Sequence, residues 1–506
     1  MRKSVLEYLE ESTQRDPDKT AFADEKKSNS YREIQERARR AGSALAKRVP
    51  PRTPVPVLME KGVDTMAAFL GTVYAGCFYV LLDRTQPPAR LNTILKTLDS
   101  PVLLTHPEYG DLARKLEFSG DILFLEELER EEPEEAILAA VREQALDTDP
   151  LYGIFTSGST GVPKGVVVGH RSVLDFIDCF TDLFGITSDD TIGNQAPFDF
   201  DVSVKDIYST LKAGATMEII PKKYFAFPAE LLDYICDRNV TTLIWAVSAL
   251  CLITTLKGGL DYRVPSQLKR VMFSGEAMPV SHLNEWRRHL PDTIFVNLYG
   301  PTEITCNCAY YIVDREYAPG EALPMGHPFP NEKVFLLDEE NREVTRTGQL
   351  GELCVAGTAL SLGYYNNPDA TAKAFVQNPL NPRYLEPIYR TGDLAYYNDE
   401  GLLVFASRKD FQIKHMGHRI ELGEIEAAMS AVPGIVRVCC TYDEERQHII
   451  ANYVGEGEKR QIAKALLQWI PKYMLPNEYR KWDELRMNSN GKINYRKLKE
   501  GREGER

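Results

Sequence analysis

The chain has 506 residues, of which 43% are apolar and 26% charged, and its formal net charge is −13. This length suggests two to four domains, and the composition is typical of a soluble globular protein. The acidic balance argues against nucleic acid or an anionic membrane as the main partner. Nine scattered cysteines show no CxxC pair and no Cys/His ligand spacing. We therefore expect no zinc site, no disulfide framework and a cytoplasmic location.

One uncharged run, residues 65–82, approaches the length of a membrane-spanning helix. Gly71 and Gly76 interrupt it, and its last residues, from Tyr79 to Leu82, have the pattern of a strand. We predict a buried helix followed by a buried strand, without insertion into a membrane.

Along the chain, residues 1 to about 400 alternate helical patterns with short apolar strands, as βα units with largely parallel sheets do. Predicted helices cover 31–47 and 229–239, and predicted strands cover 55–58, 102–104, 122–125, 241–246, 269–273 and 293–297. The last two strands end in polar loops, where ligands collect in open α/β sheets.

From about residue 325 onward, short strands punctuated by glycine predict a β-rich subdomain, with strands at 333–337, 351–356 and 402–406. A final compact unit combines a helix starting near 423, strands at 436–440 and 448–453, and a helix over 459–469. We therefore predict an α/β fold with a large N-terminal domain, 1–408, and a small mobile α+β C-terminal domain, 409–506.

The segment from Phe155 to Gly165, FTSGSTGVPKG, combines hydroxyls, glycines and a lysine directly after an apolar strand. Backbone amides, hydroxyls and an ammonium are the groups that bind polyphosphates. The spacing is not that of the GxxxxGK[ST] loop, and a proline precedes the lysine. The segment therefore indicates nucleotide binding outside that class, with a plain surface turn as the alternative.

Four further segments carry chemistry that fits the same substrate. The loop from Tyr299 to Glu303 offers a hydroxyl and a carboxylate for Mg²⁺ and phosphate. Asp393 could accept two ribose hydroxyls, or it could be a turn residue. The charge-dense segment 410–421 opens the last unit, and Lys492 beside a glycine could be a mobile catalytic cation or a solvated lysine.

These five segments, in this order, resemble the adenylate-forming superfamily of acyl- and aryl-CoA synthetases, nonribosomal-peptide adenylation domains and luciferases. The resemblance covers nearly the whole chain. The segment 200–208, FDVSVKDIY, is similar to the one that places an aspartate against the α-ammonium of an amino acid. Segments 194–198, 274–276 and 411–414, and the chain length, most resemble freestanding D-alanine–carrier-protein ligases.

The resemblance implies ATP and Mg²⁺ as cofactors and assigns the following roles. The β,γ-phosphates would be held by Thr156, Ser157, Thr160 and Lys164; the α-phosphate by Thr302; Mg²⁺ by Glu303; the ribose by Asp393 and Arg408; and the adenine by Tyr299. Asp410 would be the hinge, Lys492 the lysine that bridges substrate carboxylate and α-phosphate, and Phe200 and Gly417 the gate and lining of a pantetheine tunnel. Ser407 and Asn494-Tyr495 depart from the usual pattern, but Lys492 is present.

By the same resemblance, the amino-acid pocket would be lined by Asp201, Val202, Lys205, Ala246, Met272, Ser274, Leu298, Cys306 and Asn307. D-alanine ligases typically have a cysteine at the Ser274 position and an apolar residue at the Lys205 position. A pocket lysine would need an acidic or amide substrate side chain, because an unpaired buried charge is costly. Alternatively, Lys205 pairs with Asp201 one helical turn away or points to solvent.

Three functions remain open at this point. The first is an amino-acid ligase that loads a separate carrier protein, with D-alanine as the leading substrate and a stand-alone peptide-synthetase activator as the alternative. Only fourteen residues follow Lys492, so we expect the carrier on another chain. The second is an acyl- or aryl-CoA synthetase, which Asp201 disfavours. The third is a non-catalytic nucleotide-binding scaffold, which the intact motifs disfavour.

Overall fold

The computed structural model describes residues 2–158, 162–255, 259–318, 320–409, 412–444 and 446–485. Thr160, Asp410 and Lys492 lie outside these ranges. The helices are α1 Leu6–Arg15, α2 Tyr31–Ala46, α3 Val63–Tyr74, α4 Pro88–Leu98, α5 Gly110–Lys115, α6 Leu125–Glu129, α7 Glu135–Gln144, α8 His170–Phe184, α9 Val202–Ala213, α10 Pro228–Asp237, α11 Val247–Thr255, α12 Gly259–Tyr262, α13 Val280–His289, α14 Pro368–Ala374, α15 Leu422–Ser430 and α16 Lys459–Leu466.

The strands, in chain order, are β1 Thr20–Ala23, β2 Ser28–Ser30, β3 Pro54–Leu58, β4 Phe78–Leu81, β5 Val102–Thr105, β6 Asp121–Phe124, β7 Pro150–Thr156, β8 Lys164–Gly169, β9 Thr191–Asn194, β10 Thr216–Ile219, β11 Thr242–Ala246, β12 Arg270–Ser274, β13 Ile294–Tyr299, β14 Ala309–Ile312, β15 His327–Pro328, β16 Glu332–Leu337, β17 Gly351–Gly357, β18 Gly363–Tyr364, β19 Phe375–Gln377, β20 Pro387–Tyr397, β21 Leu403–Arg408, β22 Gln412–His415, β23 His418–Glu421, β24 Ile435–Asp443, β25 His448–Gly455 and β26 Glu478–Lys481.

Two large sheets form the N-terminal part, and both are parallel at their centres. One has nine strands in the order β15-β14-β13-β12-β11-β9-β10-β1-β2, and the other has seven in the order β18-β8-β7-β4-β3-β5-β6. Antiparallel pairs occur only toward the ends of these orders, in β1–β2, β13–β14–β15 and β7–β8–β18 among the described strands. The predicted largely parallel α/β architecture is confirmed.

A third sheet contains the strands of the predicted β-rich subdomain. It has the order β16-β17-β20-β19, with β21 also paired to β20, and its pairs are antiparallel. The last part of the chain has its own elements, the β22–β23 hairpin and a three-stranded sheet β24-β25-β26 with α15 and α16. Its apolar core, from Ile420 to Met474, is a cluster separate from those of the large sheets.

The uncharged run at 65–82 is a buried helix and strand, as predicted. It forms most of α3 and then β4, and α3 packs closely on α2. Gly42 allows this approach, since a Cβ there would lie 2.4 Å from Cβ of Tyr74. α2 itself begins with a capping box, in which Ser30 and Glu33 exchange side-chain and backbone hydrogen bonds. None of the helices in the described ranges is long and apolar enough to cross a membrane.

Candidate active site

The predicted phosphate-binding segment connects β7 to β8. These strands pair antiparallel with Thr156 opposite Lys164, so the segment is the connection of a hairpin at the edge of the seven-stranded sheet's parallel core. The Lys164 ammonium lies 5.5 Å from the centre of the Tyr364 ring. Tyr364 in turn donates a hydrogen bond of 2.8 Å to Oε1 of Glu303. One tyrosine therefore links the predicted phosphate-binding lysine to the predicted magnesium ligand.

Glu303 lies in the loop that follows β13 and is buried. Its Oε2 accepts a hydrogen bond of 2.6 Å from Nη1 of Arg419 in β23. Burial alone would raise the pKa of Glu303, but the Arg419 charge and the hydrogen bonds from Tyr364 and Arg419 hold that pKa below its usual value. The carboxylate is therefore ionised at neutral pH, and in this arrangement its positive partner is Arg419.

The β22–β23 hairpin lies directly on the phosphate-binding segment. The Ser157 hydroxyl donates to the backbone oxygen of Arg419 at 2.8 Å and accepts from the backbone N–H of Glu421 at 3.1 Å. Arg90 and Glu424, both buried, form an ion pair beside this contact. The hydroxyl predicted to bind phosphate is therefore engaged by the hairpin in this arrangement.

The predicted ribose site is assembled as a buried cluster. Asp393 in β20 lies opposite Arg408 in β21, and its two carboxylate oxygens accept hydrogen bonds from Arg408 and from the Tyr299 hydroxyl. The Lys414 ammonium lies 5.6 Å from the centre of the Tyr299 ring. Asp393, Arg408 and Tyr299 thus converge, while stacking of Tyr299 on adenine stays a prediction.

Asp201 immediately precedes α9, where it meets the loop after β13. Thr302 lies beside the Asp201 carboxylate and favours its charged form, and the Cys306 thiol donates to the Asp201 backbone oxygen at 2.8 Å. Burial raises the pKa of Asp201, whereas the Thr302 side chain and the Lys205 charge oppose that rise. The structure thus brings the predicted ammonium ligand next to the predicted α-phosphate contact.

Lys205 is fully buried, and its ammonium donates a hydrogen bond of 2.6 Å to Oδ1 of Asn307, which is also buried. The alternative in which Lys205 points to solvent is therefore wrong. Pairing with Asp201 is not observed either, because the described residues include no ion pair between them; the lysine bonds to the neutral amide instead. Burial lowers the pKa of Lys205, while nearby Cys306, Asp201 and Asp206 oppose that shift.

The other predicted pocket residues lie on adjacent strands or beside α9. Ala246, Ser274 and Leu298 are in register across β11, β12 and β13 at the carboxyl ends of these strands. Met272 is fully buried in β12, and Val202 packs on the same apolar cluster. The parallel register explains why residues 52 positions apart along the chain share one wall.

The two predicted tunnel residues are both at the hairpin. Gly417 forms its turn with φ +79°, and its N–H donates to Glu276 at 2.9 Å. A Cβ on Gly417 would lie 3.4 Å from Cβ of Ala246 in the pocket wall. Phe200 contacts His418 edge-on at a ring distance of 4.8 Å.

Sequence reasoning missed four residues of this site: Tyr364, Arg419, His418 and Glu276. His418 stacks on Tyr473 at 3.5 Å and contacts Phe200, as noted above. Arg419 and His418 lie in segment 410–421, and Glu276 lies in segment 274–276. Their polar or charged side chains, next to residues with assigned roles, could have identified them as site residues. Tyr364 had no such signal, because it lies 61 residues from Glu303 in the chain.

The residues present fit the predicted magnesium ion. Mg²⁺ is usually bound by one or two carboxylates together with substrate phosphates. Glu303, ionised and close to both the phosphate-binding segment and Lys164, supplies one such carboxylate. Within the described ranges no group of three His, Cys, Asp or Glu side chains converges as a protein-only metal site would, and the nine cysteines are all free.

Comparison with known proteins identifies the family. Residues 9–365 match the AMP-binding enzyme family. Tyrocidine synthase 1 of Brevibacillus parabrevis is 32% identical over 504 residues, covering 98% of this chain and 45% of that protein. Zwittermicin A synthase ZmaJ of Bacillus cereus is 31% identical over 511 residues, covering 98% of this chain and 95% of that protein.

Among solved structures, the fold is similar to that of NpsA-ThdA, an artificially fused adenylation-PCP di-domain from Klebsiella oxytoca. The TM-score is 0.81 at 21% identity, over 94% of this chain and 93% of that one. The chain belongs to the AMP-binding enzyme family, within the adenylate-forming superfamily. It spans less than half of tyrocidine synthase 1 and nearly all of ZmaJ.

Proposed function

We propose that the protein activates an amino acid with ATP and then transfers it to the phosphopantetheine thiol of a separate carrier protein. In the first step the substrate carboxylate attacks the α-phosphorus, forming aminoacyl-AMP and releasing pyrophosphate. In the second step the thiol attacks the acyl carbon, forming a thioester and releasing AMP. The observation that carries the proposal is Asp201, a partly exposed carboxylate beside Thr302 at the start of α9, which suits an α-ammonium.

The adenylation step needs positive charge around the phosphates, since negative charge develops there. In this proposal the β,γ-phosphates would be held by Thr156, Ser157 and Lys164, the α-phosphate by Thr302, and the ribose by Asp393 with Arg408. Bound Mg²⁺, held by Glu303, would neutralise phosphate charge. Lys492 and Thr160, outside the described residues, complete the proposed set.

The thiol-transfer step is supported by the position of the β22–β23 hairpin. Ser157 and Glu303 are engaged by the hairpin, and Gly417 approaches Ala246 at the pocket wall. This arrangement suits a site that pyrophosphate has left. We propose that residues 409–506 rotate about Asp410 between this arrangement and one that presents Lys492, so that one cleft performs both steps.

A carrier protein as acceptor is supported by two comparisons. The related tyrocidine synthase 1 is a longer protein of which this chain matches less than half, and NpsA-ThdA joins an adenylation domain to a PCP. D-alanine, the leading substrate by motif likeness, stays a prediction. Its methyl side chain would leave the buried Lys205 ammonium without an anion.

The test is amino-acid-dependent pyrophosphate–ATP exchange, followed by loading of a phosphopantetheinylated carrier compared with coenzyme A. Exchange with amino acids and loading of the carrier support the proposal. Exchange only with fatty or aryl acids, together with thioester formation on coenzyme A, would show an acyl-CoA synthetase. Absence of exchange with every acid would favour a non-catalytic scaffold.

A further inference from the structure

The Lys205 ammonium is a buried cation whose direct hydrogen-bond partner is a neutral amide. Its side chain is fully buried in α9, and Asn307 Oδ1 lies 2.6 Å from Nζ. No ion pair involves Lys205 in the described part of the chain; Asp201 and Asp206 act on it only at longer range. A buried cation is normally compensated by a directly bonded anion. A carboxylate bound beside Lys205 would supply such an anion and favour the charged form of the amine.

Lys205 follows Asp201 by one helical turn at the start of α9. The two residues are four positions apart on one helical face, so their Cβ atoms are separated by about 6 Å. The wall beside them is a single stretch of backbone, because Cys306 contacts Asp201 and Asn307 contacts Lys205. A ligand with its ammonium at Asp201 would therefore direct a short side chain along residues 306–307 toward Lys205.

We infer that Lys205 and Asn307 bind a side-chain carboxylate of the substrate, so that the protein activates a short acidic α-amino acid. The inference rests on the proposed amino-acid activation. An ammonium and a side-chain carboxylate two or three carbons apart match the spacing of Asp201 and Lys205. The carboxylate accepts from the Lys205 ammonium, which has three donors, and the Asn307 amide holds that ammonium in place.

A neutral side chain meets these groups less well. An amide oxygen could accept from Lys205, but the ammonium would remain without a directly bonded anion. A methyl group would make no polar contact with Lys205 and would leave a polar void next to it. The charge at Lys205 therefore selects an acid over an amide, and an amide over an aliphatic side chain.

The first test is pyrophosphate exchange by the wild-type protein with both stereoisomers of aspartate, glutamate, asparagine, glutamine and alanine. We expect kcat/KM for one acid to exceed that for alanine at least 100-fold and that for its amide at least 10-fold. Preference for alanine or another neutral amino acid would overturn the inference while leaving the proposed function standing. Exchange only with acids that lack an amino group would overturn both.

The second test changes the charge at the site. Lys205→Met removes the cation, and Asn307→Asp supplies an internal carboxylate to Lys205 at nearly constant volume. Each change should lower kcat/KM for the acidic substrate at least 100-fold more than it lowers kcat/KM for alanine. Equal losses for acid and alanine would show a purely structural role and contradict the inference.

A binding measurement separates recognition from catalysis. Titration calorimetry with aspartyl- and alanyl-sulfamoyl adenosine, unreactive mimics of the two adenylates, should show at least 100-fold tighter binding of the aspartyl compound to the wild type. Asn307→Asp should reverse or erase that difference while keeping the wild-type melting temperature within a few degrees. Equal affinity of the wild type for both compounds would overturn the inference.

Discussion

Arg419 on the β22–β23 hairpin donates a 2.6 Å hydrogen bond to Glu303, the carboxylate predicted to bind Mg²⁺. The guanidinium thus stands where the metal's charge would be required during adenylation. The Ser157 hydroxyl is hydrogen-bonded to the backbone of β23, the strand that contains Arg419. In the proposed mechanism, docking of this hairpin and binding of a magnesium–triphosphate would therefore compete for Ser157 and Glu303.

Removal of the Arg419 charge should impair thiol transfer more than adenylation. Arg419→Ala leaves Glu303 buried with Tyr364 as its remaining side-chain partner, and loss of one member of a buried ion pair is costly. We expect single-turnover transfer from preformed adenylate to fall at least 10-fold, with pyrophosphate exchange changed less than about 3-fold. Arg446→Ala, at an exposed arginine of the same region, is the control. Equal loss in both steps would contradict hairpin docking as the role of Arg419.

Lys492 should act in the first step alone. Lys492→Ala is expected to abolish adenylate formation, because positive charge at the α-phosphate is lost, and to spare capture of preformed adenylate by the thiol. Rapid-quench measurement of each half-reaction distinguishes the two. Lys481→Ala, at an exposed lysine in β26, should leave both steps unchanged. Loss of thiol capture in the Lys492 variant would count against two alternating arrangements.

Gly417 and Gly401 provide a matched pair. Both have positive φ, +79° and +75°, but a Cβ at Gly417 meets Ala246, whereas a Cβ at Gly401 has no neighbour within 4 Å. Leucine at either position should cost similar backbone strain. Only Gly417→Leu should slow thiol transfer, by at least 10-fold, since it fills the space next to the pocket. Similar slowing by both variants in a single-turnover assay would show that strain, and not obstruction, is responsible.

His418 should make hairpin docking pH-dependent. Burial, with the nearby charges of Lys222 and His415, lowers the pKa of His418 to about 4 from 6.5. The pKa of His418 is therefore lower when the hairpin is docked than when it is free. Docking is unaffected above pH 6.5 and weakens as the pH falls from 6.5 toward 4. At pH 5.5 the equilibrium constant for docking should be about tenfold lower.

The measurement is the ratio of thiol-transfer rates for wild type and His418→Phe, which retains an aromatic ring against Phe200 and Tyr473. Taking the ratio cancels the ionisation of the thiol itself. The ratio should fall about tenfold between pH 7.5 and 5.5. A ratio that does not change with pH would show that His418 is not protonated when the hairpin undocks.

Much of the fold was predictable because its parallel strands are continuous apolar runs. The predicted strand 241–246 begins one residue before β11, and the predicted strand 269–273 begins and ends one residue before β12. The helix predicted over 459–469 ends at Leu466, since residues 467–470 turn before Pro471. Side-chain periodicity continued past the backbone helix there, and periodicity alone does not mark such an end.

The site was predictable where a motif keeps its residues together and not where distant segments meet. Asp393 and Arg408 are cross-strand neighbours, and Thr156 and Lys164 close one hairpin. Lys205 and Asn307 are 102 positions apart, and Glu303 and Arg419 are 116 apart. Neither pairing follows from local pattern, because each depends on how one loop or hairpin docks on another element.

The most direct test of amino-acid activation is pyrophosphate exchange with an amino acid and with its analogue lacking the amino group, for wild type and Asp201→Asn. The predicted result is at least 100-fold higher kcat/KM for the amino acid in the wild type. That preference should fall to less than 10-fold in the variant, because the carboxylate that binds the ammonium is gone. Equal exchange with both acids in the wild type, or a preference unchanged by Asp201→Asn, would contradict amino-acid activation through Asp201.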